Sequence, residues 1–155
     1  MLDLAIKDIA QDLYGAAATE EGIHLLRSSL NATFVPDWFV TLLRENRLAG
    51  VCFSLDGIDD ESKLGAEVLW LTPEQIVSEA IECQPGASVA FLGYIPIGAC
   101  AEGSGDTYFL NMREATVDPP LVRIPHDFAG RGAYPLDRVE LVAQSLSSFV
   151  RKAKF

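Results

Sequence analysis

The chain has 155 residues, with 12 Lys and Arg against 22 Asp and Glu (net charge −10), and is 49% hydrophobic and 22% charged. These are ordinary values for one globular domain with a core of its own. No apolar run reaches the roughly 18 residues that cross a bilayer, and Met1 to Asp8 lacks the basic segment and apolar block of a secretory signal, so a cytoplasmic protein without a membrane partner is expected.

In chain order, Leu2, Ile6, Ile9 and Leu13 share one helical face, with Asp3, Asp8 and Asp12 off it, which predicts an amphipathic first helix. Gly15-Ala16-Ala17-Ala18 either extends or breaks it, and the stretch from Thr19 to Asn31 is left open. Pro36 suits the first turn of a second helix that would carry Trp38, Phe39, Leu42 and Leu43 inward. Val51, Phe53 and Leu55 alternate with Cys52 and Ser54 as a half-buried strand does. Asp56-Gly57 is a turn signal, and Ile58 to Lys63 reads as a solvated charged loop. Glu67 to Leu71 is a second strand. Thr72, Pro73 and Gln75 have the spacing of a capping box at the head of a helix carrying Ile76, Val77, Ala80 and Ile81, which should stop near Pro85-Gly86. Strands are predicted at Ser88–Ile97, Thr107–Met112 and Leu121–Ile124. A closing helix is predicted from about Asp137, with Val139, Val142, Leu146, Phe149 and Val150 inside and Arg151 and Lys152 at its C-terminal end. The short connections after Ser88 leave no room for helical crossovers, so residues 1–155 should form one α+β domain with a twisted, mostly antiparallel sheet flanked by N-terminal and C-terminal helices.

The charge is uneven. Arg151, Lys152 and Lys154 lie in the last five residues, so residues 1–150 hold 9 basic and 22 acidic residues, a net −13. Such a body repels nucleic acid, whose binding depends on Lys and Arg displacing counterions. It attracts a basic partner and speeds the encounter, and it also favours solubility. Cys52, Cys83 and Cys100 are odd in number and lack CxxC spacing, which fits reduced, buried thiols.

Candidate chemistry centres on Gly103-Ser104-Gly105-Asp106. A phosphate loop would need Lys-Ser/Thr and a helix after its last glycine, whereas Asp106 and the strand-like Thr107 to Leu110 follow here. The favoured reading is a tight turn in which Gly103 and Gly105 take positive φ and Asp106 accepts from backbone amides. His126-Asp127 is the one His beside a carboxylate, and His24 lies about a hundred residues away. Asp106, His126 and Asp127 could meet and form a small metal or acid–base site if their strands pair, although a zinc site ordinarily has more ligands at closer spacing; otherwise His126 caps the end of its strand. Cys52, Cys83, Cys100 and Ser104 have neither an elbow motif nor a nearby His to serve as nucleophiles. No cofactor or metal is expected. Trp38, Trp70, Tyr94 and Tyr108 read as core residues more than as a recognition face.

The order of several segments resembles the SUKH superfamily, which includes bacterial toxin-immunity proteins and fungal cell-wall regulators of the Smi/Knr type. Phe34-Val35-Pro36-Asp37-Trp38 is similar to the family's entry into a helix, and Glu67 to Ile76 to its strand ending in Trp before a capped helix. Ile95-Pro96-Ile97-Gly98 with Gly105-Asp106-Thr107-Tyr108 is similar to its most recognisable block, so Gly103, Gly105, Asp106 and Tyr108 are fold-signature positions. Pro120 to Ile124 with His126-Asp127, and Leu141 to Val150, complete the series over about residues 34–150. The Arg44-Glu45-Asn46-Arg47 segment departs from the family's Asn-Gly, and the first 33 residues lie outside the resemblance. The resemblance implies an α+β fold and a non-enzymatic role, commonly binding and neutralising a toxin, often a nuclease, in the cytoplasm. A regulatory or scaffold adaptor of the same fold is the alternative, with a small metal-dependent enzyme using Asp106, His126 and Asp127 behind it.

Overall fold

The computed structural model describes residues 1–103, 105–130 and 132–155. Helix α1, Leu2–Ile9, buries Ala5 and Ile6 and runs into a 3-10 turn, after which Leu13 is also buried. Gly15 then breaks the helical path. Its N–H donates to Arg47 O at 3.0 Å, and a Cβ there would lie 2.3 Å from Ala49 O, so only glycine allows so close an approach. The stretch left open in the sequence forms α2, Glu20–Ser29, whose first turn is capped by the Thr19 hydroxyl accepting from Gly22 N–H at 3.0 Å. Helix α3, Asp37–Glu45, follows Pro36 and buries Phe39, Leu42 and Leu43 as expected. Trp38 differs: it is half-buried, because its indole N–H reaches outward to Thr116 O at 2.7 Å.

Six strands follow as an antiparallel meander in the order of the chain: β1 Cys52–Leu55, β2 Ala66–Trp70, β3 Tyr94–Cys100, β4 Thr107–Asn111, β5 Leu121–Ile124 and β6 Glu140–Ala143. Between β2 and β3 lie α4, Pro73–Ile81, and the short α5, Gly86–Val89. The capping box is reciprocal: Gln75 N–H donates to the Thr72 hydroxyl at 3.2 Å, and Thr72 N–H donates to Gln75 Oε1 at 2.9 Å. Helix α6, Leu146–Lys152, closes the chain with Arg151 and Lys152 in its last turn.

Two predicted elements are corrected. The strand expected over Ser88–Ile97 starts only at Tyr94: its first half is α5 and a 3-10 turn, ended by Gly93 at φ 106°. The helix expected from Asp137 is instead a 3-10 turn, then β6, then α6 beginning at the Ser145 cap. Val139 and Val142, three residues apart, share a helical stripe, but here they lie on opposite sides of the sheet, Val142 in the large core and Val139 against the smaller one, while Glu140 lies opposite Arg123.

Residues 108 and 109 point to opposite faces of β4, so the strand contributes to two cores. Tyr108 joins the large core with Phe39, Phe53, Trp70 and Phe149, while Phe109 joins a smaller one with Val89, Tyr94, Val122, Ile124 and Tyr134. Trp70, Tyr94 and Tyr108 are therefore core residues, as read. The sheet curls far enough for the β1–β2 loop to reach the opposite edge, where Glu61 N–H donates to Val142 O at 2.9 Å. The other edge, β1, is covered by Lys154, whose backbone exchanges two hydrogen bonds with Ser54 at 2.7 and 2.8 Å. Among the described residues no helix is long and apolar enough to cross a membrane.

Candidate functional site

An antiparallel meander gathers alternate strand ends at one rim. The C-terminal ends of β1, β3 and β5 and the N-terminal ends of β2, β4 and β6 enclose a cleft of about 440 Å³. Its described lining carries five carboxylates (Asp56, Glu67, Glu102, Asp106 and Glu140) and one guanidinium, that of Arg123.

Arg123 is the organising residue. Tyr108 lies opposite it on β4 and Glu140 opposite it on β6. The guanidinium sits 5.2 Å from the centre of the Tyr108 ring and donates to Gly65 O at 2.6 Å, Ser62 Oγ at 3.1 Å and Asp60 Oδ2 at 3.3 Å. Its side chain is 7% exposed and that of Asp60 0%. Asp60 in turn accepts from Ser62 N–H at 2.7 Å, so the buried pair has the extra hydrogen bonds that such pairs need. The Asp59-Asp60-Glu61 segment is therefore not a wholly solvated loop; its middle residue is the counter-ion of Arg123. The signal in the sequence was the Arg within an otherwise apolar strand, Leu121-Val122-Arg123-Ile124.

Arg123 is shared between Asp60, outside the cleft lining, and the cleft's own Glu140, whose Oε1 lies 3.8 Å from its Nη1, so this one guanidinium leaves the five cleft carboxylates with an excess of negative charge. On the β1–β2 wall of the cleft the Ser54 hydroxyl donates to Glu67 Oε1 at 2.6 Å, and Cys52 Sγ lies 3.7 Å from Oε2. Burial, then the Glu67 charge, pushes the Cys52 thiol up, away from the thiolate form that acts as nucleophile. Cys52, Cys83 and Cys100 are each half-buried, short of the full burial expected.

The glycine turn is built as predicted at its described positions. Gly103 and Gly105 have φ 79° and 83°, and Asp106 Oδ1 accepts from the His126 backbone N–H at 3.1 Å; Ser104 lies outside the described residues. Pairing of β4 with β5 also brings His126 Nδ1 to 2.7 Å from the same Asp106 oxygen, while Nε2 lies 3.2 Å from Asp127 Oδ1. The imidazole covers Gly105, where a Cβ would meet His126 Cε1 at 3.2 Å. Asp106, His126 and Asp127 thus do meet, and His126 opens a 3-10 turn at the end of β5. Among the described residues no three His, Cys, Asp or Glu side chains are grouped to hold a metal ion.

The hydrogen bond to Asp106, more than the opposing desolvation, raises the His126 pKa above its ordinary 6.5. The protonated ring thus stabilises the fold below about pH 6.5, and that contribution is lost as pH rises through the raised value. An NMR titration of the His126 ring should show this elevated midpoint, and Asp106→Asn should lower it towards the ordinary value. An unchanged midpoint in the variant would remove Asp106 as the cause.

No protein-family model matches the chain, and no curated protein or solved structure matches it either.

Proposed function

We propose that the protein is a non-enzymatic binding module of the SUKH type, whose acidic cleft receives a basic protein partner, in the manner of an immunity protein neutralising a toxin in the cytoplasm. The observation that carries this reading is the cleft itself, with five carboxylates around one already-bonded guanidinium. Low-dielectric walls focus the field of such a concavity and steer an oppositely charged surface into it. A nuclease is a suitable partner, since its phosphate-binding surface is basic and an acidic inhibitor can occupy it. The succession of elements supports the family reading: α3 after Pro36, β2 ending at Trp70, capped α4, the β3–β4 turn, β5 ending in His126-Asp127, and α6. The wider composition agrees, because residues 1–150 carry the −13 noted above.

Co-expression with the product of the adjacent toxin gene tests the proposal. Rescue of growth is expected, and the Asp56→Lys/Glu102→Lys double variant should abolish it while remaining folded. Raising salt from about 0.05 to 0.5 M should weaken the purified complex, because the charges at the cleft mouth are solvent-exposed. Failure of rescue by the parent chain would overturn the function, and affinity unchanged by salt would overturn the electrostatic mode of binding.

A further inference from the structure

The outer edge of β1 is occupied by the chain itself. Ser54 N–H donates to Lys154 O at 2.7 Å and Lys154 N–H to Ser54 O at 2.8 Å, the exchange that defines an antiparallel strand pair. Beside this bridge the Phe155 ring lies 5.3 Å from the Phe53 ring, centre to centre, and Lys154 Nζ lies 3.8 Å from Asp56 Oδ2. Two residues before Ser54, Cys52 N–H donates to the Tyr14 hydroxyl at 3.0 Å. The strap after α6 thus offers β1 three things: a backbone ladder, an aromatic ring and a cation.

The contacts that hold the strap are weak individually. The Lys154–Asp56 side chains are 81% and 69% exposed, a setting in which ion pairs contribute little. Phe155 is 40% exposed, and only one residue of the strap pairs with the strand. Displacing the strap would leave the Ser54 N–H and C=O unpaired, and an edge strand with such groups is a template for an incoming strand. Ser54 and Asp56 also line the acidic cleft, so edge and cleft form one continuous surface.

We propose that the β1 edge is a strand-addition site held closed by Ala153–Phe155, and that it takes an extended peptide with a basic residue followed by an aromatic one. The peptide's backbone pairs with Ser54, its aromatic ring takes the place of Phe155 on Phe53, and its cation the place of Lys154 beside Asp56. This rests on the reading of the cleft as a protein-binding surface and supplies the conformation of the partner segment there.

The test uses the 155-residue chain and its Lys154→Pro variant, which lacks the N–H that donates to Ser54 and so opens the strap. The probe is the synthetic peptide Phe-Val-Arg-Lys-Ala-Lys-Phe, the sequence of residues 149–155. The variant should bind it about ten-fold more tightly than the parent chain, because the closed strap lowers the competent fraction. Amide shift changes should centre on Cys52 to Asp56, and replacing the peptide's last Phe by Ala should abolish them. Equal affinity for the two chains, or shift changes confined to Glu67, Glu102 and Asp106, would overturn the proposal and reduce the binding to bare charge attraction. Native hydrogen exchange at the Ser54 amide checks the opening independently: it should quicken in the variant, and an unchanged rate would mean the strap does not guard the edge. Toxin rescue by the parent chain is unaffected by either failure, so the two readings fall separately.

Discussion

Arg123→Met should cost about 3–5 kcal/mol of stability, roughly 10 °C in melting temperature for a domain of this length. Methionine fills much of the volume but leaves Asp60 fully buried without its counter-ion, and it also removes the donors to Gly65 O and Ser62 Oγ. Removing one partner of a buried pair is the expensive change, whereas replacing both with apolar groups is far milder. The Asp60→Leu/Arg123→Met double variant should therefore recover at least about 2 kcal/mol relative to the sum of the single losses, as expected for side chains in direct contact. Urea unfolding of the four proteins measures the cycle. Additive losses would mean that the pair does not hold the β1–β2 loop to the sheet.

Gly86→Ala should destabilise the protein by about 3 kcal/mol, at the upper end of ordinary overpacking. A Cβ at this first residue of α5 would lie 1.8 Å from Glu79 O and 2.7 Å from its carbonyl carbon, atoms of the α4 backbone that no rotamer change can move. Relief requires α5 to shift away from α4, taking the fully buried Val89 with it out of the smaller core. Ala87→Ser, at the exposed neighbouring position, should change stability by less than about 0.5 kcal/mol. Equal denaturation midpoints for Gly86→Ala and the parent chain would show that the α4–α5 contact is looser than these distances imply.

Where local chemistry decides local structure, the sequence was legible. Thr72 and Gln75 cap α4 through the predicted pair of bonds, Val51-Phe53-Leu55 alternate into the core, and Gly103 and Gly105 take positive φ in the β3–β4 turn. It misled where buried residues from both faces of the sheet happen to fall at helical spacing, as Val139 and Val142 do, and where a helical turn precedes a strand without an apolar break, as at Ser88 to Leu92. The candidate site divided in the same way. Asp106 and His126 were readable as partners because β4 and β5 are adjacent in the chain. The Asp60–Arg123 pair was not, since 63 residues separate them and only the curl of the sheet brings the loop over β5. The cleft escaped notice for that reason too: its carboxylates come from different strands and loops, and no single window of sequence contains them.

The strictly sequential strand order also bears on how the fold is reached. Each ladder joins neighbours in the chain, so hairpins can form from nearby residues at modest loop-closure cost, β2–β3 being the longest because α4 and α5 intervene. Among the described residues, the hydrogen bonds that tie distant parts of the chain include Ser54 to Lys154, Glu61 to Val142, Trp38 to Thr116 and Met1 to Arg151. Contacts that need most of the chain in place form after the main barrier, and such contacts govern how fast a native protein opens more than how fast it assembles. The topology thus implies that the closure of the curl acts as a latch on the lifetime of the native state, while the hairpins set the pace of its formation.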